Sequence, residues 1–208
     1  MLIALLALLL QSSSVEPSKA ADKSSTWTSR NGVLEMKNVT LKTAVAAAYG
    51  VEERDVYGPS WIDEDRFDIV VKAGSAVPHA EMVRRLRAVL EDRFKLKAHS
   101  EERMKDGFAL TGGAGLKEVE PGDGPRTNAT NEQFVAERAS MSRIAGSLGR
   151  LLDVPIVDAT GLRGVYSFTI EWKDRKGLDA ALESVAGLRL EKKIVPVGSI
   201  VVDRVEKN

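Results

Sequence analysis

The sequence predicts an α+β fold of two similar α-β-β-α-β-β repeats, with helices packed on small mixed sheets. Three observations carry that expectation. From Gly32 onward, segments with helical apolar spacing alternate with segments of strand alternation; a related order returns after a Gly/Pro-rich stretch; and 43% hydrophobic residues in 208 suffice for a core of ordinary size. The predicted organisation is a signal-peptide-like segment at 1–14, a polar spacer at 15–31, a first repeat at 32–111, a linker at 112–138 and a second repeat at 139–208.

Residues 2–10 (LIALLALLL) form an unbroken apolar run before Gln11 and three serines. Nine residues are too short to span a hydrocarbon core of roughly 30 Å as a helix. They match the apolar part of an export signal, with Ser12, Ser13 and Ser14 as small residues for cleavage, although no Lys or Arg precedes them. The expected location is therefore periplasmic or extracellular, with no stable membrane span in the mature chain.

In the first repeat, Val33 to Val39 reads as a strand, and Thr40 as the N-cap of a short helix that stops at Gly50. Phe67, Ile69 and Val71 alternate with Arg66, Asp68 and Val70 as a partly buried strand. Met82, Leu86, Val89 and Leu90 mark the inner face of a helix from His79 to Arg93. Phe94 to Ala98 and Phe108 to Thr111 read as two strands joined by a turn at Asp106-Gly107.

The stretch 112–138 holds seven Gly and Pro residues and reads as a linker. Beyond it, Ser140 to Leu152 reads as a helix, Val154 to Val157 and Val165 to Trp172 as strands, and Leu178 to Ala186 as a helix with Leu178, Ala181, Leu182 and Val185 on its inner face. Leu188 to Leu190 and Ile200 to Val202 read as the last two strands. Phe67-Asp-Ile corresponds to Tyr166-Ser-Phe, and Phe94-Lys-Leu to Leu188-Arg-Leu.

Several ordered motifs resemble the soil-associated bacterial protein family: Asn38-Val39-Thr40-Leu41-Lys42, Gly58-Pro59-Ser60-Trp61-Ile62-Asp63, Arg66-Phe67-Asp68-Ile69-Val70, Asp92-Arg93-Phe94-Lys95-Leu96 and Val157-Asp158-Ala159-Thr160-Gly161-Leu162. The resemblance runs from about Trp27 to Lys207. It implies an exported domain of unknown function, attached in some family members to a membrane-bound sensor metallopeptidase. This chain has no His-Glu-x-x-His, so the peptidase activity does not carry over. A looser, fold-level similarity links the second repeat to the short N-terminal domain of secretins and TonB-dependent receptors, which are protein-interaction modules.

With 30 basic and 30 acidic residues, the chain lacks the basic excess of a phosphate-driven nucleic-acid binder, and no nucleic-acid partner is expected. The absence of cysteine excludes thiolate nucleophiles, disulfides and iron–sulfur centres. Only His79 and His99 remain as imidazoles, on different elements, so neither a metal site nor any cofactor is expected.

Charge is unevenly placed: 52–68 carries seven acids and two bases, 84–105 eight bases and four acids. Trp61 with Asp63 and Asp65, and Arg84 with Arg85, are thus the candidate interaction surface. Carboxylates at Asp63 to Asp68 would serve a small hydrolase if they converged in a cleft, whereas solvated carboxylates would leave a turn. The arginines would form either an anion-binding face or the outer side of an amphipathic helix. With no catalytic residues assigned, the expected function is a non-catalytic binding or scaffolding module of the cell envelope, its partner an envelope protein or peptide. A ligand-sensing module, with open strand edges for strand addition, is the other alternative.

Overall fold

The computed structural model describes residues 13–122 and 124–207. The expected leader falls on residues 1–12, outside the described residues. The fold is α+β, as expected, with its strands in three four-stranded sheets. It divides into two compact units: the first holds the described residues up to Glu102 and those from Gly198, the second Arg103–Val197.

Unit 1 is built on an antiparallel sheet of order β1-β5-β3-β2, from Ser14–Pro17 (β1), Thr26–Arg30 (β2), Val33–Thr40 (β3) and Arg66–Lys72 (β5). Helix α1 (Leu41–Tyr49) starts where Thr40 Oγ1 accepts the Thr43 N–H, and it ends at Gly50 in the left-handed region. A short α2 (Trp61–Glu64) precedes β5, and α3 (His79–Phe94) buries Met82, Leu86, Val89, Leu90 and Phe94. Phe94 meets Phe67 edge to face, ring centroids 4.9 Å apart.

The two strands expected at 15–31 to be spacer are thus sheet members. Ser13, assigned to the leader, is 4% exposed, and its Oγ accepts the Lys72 N–H at 3.2 Å. Backbone pairing holds β1 and β2, whose side chains have no apolar alternation to announce them.

Unit 2 holds a second antiparallel sheet of order β7-β11-β9-β8, from Glu118–Val119 (β7), Arg126–Ala129 (β8), Gln133–Ser140 (β9) and Val165–Glu171 (β11). Three of these strands lie wholly or largely in the stretch expected to be linker. Helix α4 (Met141–Leu152) is capped by Ser140, and α5 (Arg175–Ala186) by Asp174. Leu178 and Leu182 are buried as expected, whereas Val185, also expected inward, is 54% exposed and Ala186 faces the core.

The third sheet has the order β10-β6-β12-β4. Within unit 1, β4 (Val56–Tyr57) runs parallel to β12 (Leu188–Arg204) at Ile200 and Val201. Within unit 2, β10 (Ile156–Asp158) runs parallel to β6 (Lys97–Gly112) at Phe108 to Leu110.

Both long strands correct the sequence reading, which divided each in two. Asp106-Gly107 is no hairpin turn. A Cβ on Gly107 would lie 2.5 Å from the Pro155 carbonyl oxygen and 2.8 Å from Val195, so the glycine serves a close backbone approach. Phe94 likewise ends a helix rather than opening a strand, because Lys95 takes the left-handed C-cap position. Lys95-Leu96 therefore stands where unit 2 has Gly187-Leu188, two places from the expected correspondence.

The division between units falls inside β6 and β12, not in the Gly/Pro-rich stretch. The core of unit 1 accordingly includes Ile200 and Val202 from the end of the chain, and that of unit 2 includes Leu110 and Leu188.

A local device recurs in both units. In β3 a bulge between Met36 and Val39 holds Asn38 at φ 54°, and the Asn38 N–H donates to Asp68 Oδ1 at 2.8 Å. In β9 a bulge between Ala136 and Ala139, opposite Tyr166 and Phe168, holds Arg138 at φ 45°, and the Arg138 N–H donates to Ser167 Oγ at 2.9 Å. In each unit a capped helix begins three residues later.

Candidate functional site

In the acidic segment, Asp63, Asp65 and Asp68 are each held by a different partner. The chain turns at Gly58-Pro59-Ser60 into α2, where Ile62 is 1% exposed and anchors the turn, while Trp61 is only partly buried. Asp63 Oδ1 lies 2.9 Å from Lys42 Nζ, and Asp65 Oδ2 lies 2.7 Å from Lys207 Nζ. The same Lys207 ammonium sits 5.4 Å from the centroid of the Trp61 ring. Asp68 accepts the bulge N–H of Asn38. Three carboxylates thus serve three separate partners.

The basic residues of α3 are divided in the same way. Arg84 pairs with Glu81 and is largely exposed; Arg85 Nε reaches the other Glu81 oxygen at 2.9 Å. Arg87 donates to the Ala48 carbonyl at 2.8 Å, closing the C-terminal turn of α1, and lies 4.1 Å over the Tyr49 ring. Arg93 donates to the Ser13 carbonyl at 3.2 Å. Of the candidate surface residues, Trp61 and Asp65 thus share Lys207, Asp63 pairs with Lys42, and Arg84 and Arg85 share Glu81.

Two features escape the sequence reading because they join residues distant in the chain. In unit 1, His99 Nδ1 lies 2.9 Å from Asp203 Oδ1, beside a cavity of about 550 Å³ bordered by Tyr49, Glu91, Lys97 and Asp203. The carboxylate orients the imidazole. Burial pushes the Tyr49 phenol above its ordinary range, against the opposing pull of Arg87. No pattern of spacing announces the pair, since 104 residues separate its members.

In unit 2, a cavity of about 530 Å³ is lined by Thr130, Glu132, Gln133, Glu171, Trp172 and Lys173. A second hollow of about 220 Å³ is lined by Asn131, Leu151, Leu152, Leu178 and the same Trp172. The β8–β9 loop shapes the rim: Thr130 Oγ1 accepts the Gln133 N–H at 3.0 Å, and Gln133 Nε2 donates to Glu171 at 3.0 Å. The Trp172 N–H donates to the Glu132 carbonyl at 2.9 Å, which holds the indole-bearing backbone against this loop. The larger hollow is polar around Trp172, with two carboxylates, an amide and an ammonium, and the smaller is walled by leucines; the two share Trp172 and together suit an amphipathic ligand.

One further surface is open. Strand β2 is an edge of its sheet with all five residues exposed, Trp27 at 49%. Among the described residues, no cluster of three or more His, Asp or Glu is placed to hold a metal ion, and no helix is long and apolar enough to cross a membrane.

A family model described as a protein of unknown function, DUF3738, matches residues 42–205. No curated protein and no solved structure matches the chain.

Proposed function

The chain belongs to the DUF3738 family of proteins of unknown function, and on that premise we propose that it is a non-catalytic binding module of the bacterial cell envelope. The observation that carries this reading is the pair of hollows that share Trp172, one bordered by polar side chains and the other by leucines. The residues that a carboxylate hydrolase would need are instead engaged by Lys42, Lys207 and the Asn38 backbone. The apolar run at 2–10 and the resemblance to soil-associated exported proteins support the envelope as the setting.

The test is a pull-down from envelope extract with the full chain beside Glu132→Arg, a substitution at an exposed rim position. Retention of a ligand by the parent and its loss from the variant is the expected result; equal retention would move the site elsewhere. The open β2 edge favours one other reading, strand addition by a partner. Loss of retention in Thr28→Pro but not in Glu132→Arg would place the site there.

A further inference from the structure

Unit 1 contains its own counterpart of the Trp172 site, and there the place is covered. The Ala73 N–H donates to the Gly32 carbonyl at 2.7 Å, as the Trp172 N–H donates to the Glu132 carbonyl at 2.9 Å. In both cases the donor follows the strand beside β3 or β9, and the acceptor precedes β3 or β9 itself. In unit 1 the connection to the next helix runs through 73–78; in unit 2 it runs through 172–174 and is half as long.

The longer connection lies directly on the loop. Gly32 has φ +75°, and a Cβ there would fall 1.8 Å from the Ser75 carbonyl oxygen, so only glycine admits the covering strand. Val77 of the same segment packs on the unit 1 core. Unit 2 lacks this cover. It has Glu132 in place of Gly32, and the hollows at Trp172 are what the shorter connection leaves open.

Resting on the reading of this cavity as a binding site, we infer that its ligand is a short extended peptide, supplied in trans, that seats one β-branched apolar side chain between Trp172 and the leucines and carries a positive charge beside it. Val77, on the covering segment of unit 1, is the precedent for an apolar side chain of such a segment packed on the core of its unit. The Cβ of Glu132 keeps the peptide backbone from lying as close as Ser75 lies to Gly32, so a side chain, not the backbone, reaches the leucines. The charge follows from the rim, where Glu132 and Glu171 outnumber Lys173. At the strand end, Lys72 in unit 1 faces Val33, and Glu171 in unit 2 faces Gln133. Where the cover is part of the chain the position is basic; where it is missing the position is acidic.

The probe is the peptide Lys-Ala-Gly-Ser-Ala-Val-Pro, the sequence of residues 72–78, titrated into the full chain while the indole ¹⁵N–¹H signals of Trp27, Trp61 and Trp172 are followed. The expected result is a saturable shift of the Trp172 signal alone, with a dissociation constant of about 0.1–1 mM. Glu132→Arg should weaken it about fivefold, and a peptide with Asp in place of Val should leave the signal unmoved. A silent Trp172 signal at saturating peptide, or an equal shift with the Asp peptide, overturns the inference. If the envelope pull-down still shows retention that depends on Glu132, only the ligand class is overturned and the binding module stands; if retention is also independent of Glu132, the site itself falls.

Discussion

At Asn38 one residue closes several accounts at once. The bulge demands a positive φ, which costs most L-residues energy, and asparagine tolerates it. Its side-chain Nδ2 then donates to the Asp22 and Ser24 carbonyls at 2.8 and 2.7 Å, and its own carbonyl accepts from Arg66 at 2.6 Å. Asn38→Ala should therefore lose about 2–4 kcal/mol, from two hydrogen bonds and the left-handed conformation. Asn38→Gly keeps the conformation and should lose only the hydrogen-bond part; urea unfolding of the two variants separates the contributions. Tyr49 offers a second check. Its phenol is raised by burial, so the folded state holds the proton more tightly than the unfolded chain does. The resulting stability is complete below the unfolded phenol value of roughly 10 and is lost as pH rises through the higher folded value. Tyrosinate absorbance in the native chain should appear later than in the urea-unfolded chain, and an earlier appearance would contradict the burial argument.

At the scale of elements, what was legible followed side-chain periodicity. The inner face of α3 was readable because Met82, Leu86, Val89 and Leu90 recur at helical spacing, and the cap at Thr40 is local chemistry. The strands β1, β2 and β8 were not readable, since none carries a buried apolar face and partners elsewhere in the chain define them. The hollows at Trp172 were hidden for the same reason: Thr130 and Glu171 border one and Leu151 the other, and Trp172 meets them only once β9, β11 and α4 are packed. Strand β6 misled in a different way, because Asp-Gly signals a turn unless a neighbouring backbone needs the glycine. There the Phe108 N–H donates to the Pro155 carbonyl at 2.9 Å. Gly107→Ala would press a methyl toward that same oxygen, and overpacking of this kind costs about 1–3 kcal/mol. The Phe108 amide should exchange faster in the variant, while amides in α3 keep their protection.

At the scale of the whole molecule, chain order and compact units do not coincide. A division at the Gly/Pro-rich stretch separates residues that share a core, because Ile200 and Val202 belong with Val56, Ile62 and Leu90 in unit 1. The second half of the sequence thus completes the unit that the first half begins. Ending the chain after Val197 removes two buried apolar side chains, the β12 partner of β4, and the Lys207 ammonium from Asp65 and Trp61. The two apolar side chains alone contribute roughly 3–6 kcal/mol, which is comparable to the full stability of a small domain, about 5–15 kcal/mol. The shortened chain should lose the dispersed amide signals of unit 1. Adding the missing residues back as a synthetic peptide should restore them in part, since it supplies the strand that β4 pairs with and the two side chains that share a core with Val56 and Ile62. Retention of the full unit 1 spectrum without residues 198–208 would show that β12 is dispensable there and that the unit ends where the first sheet does.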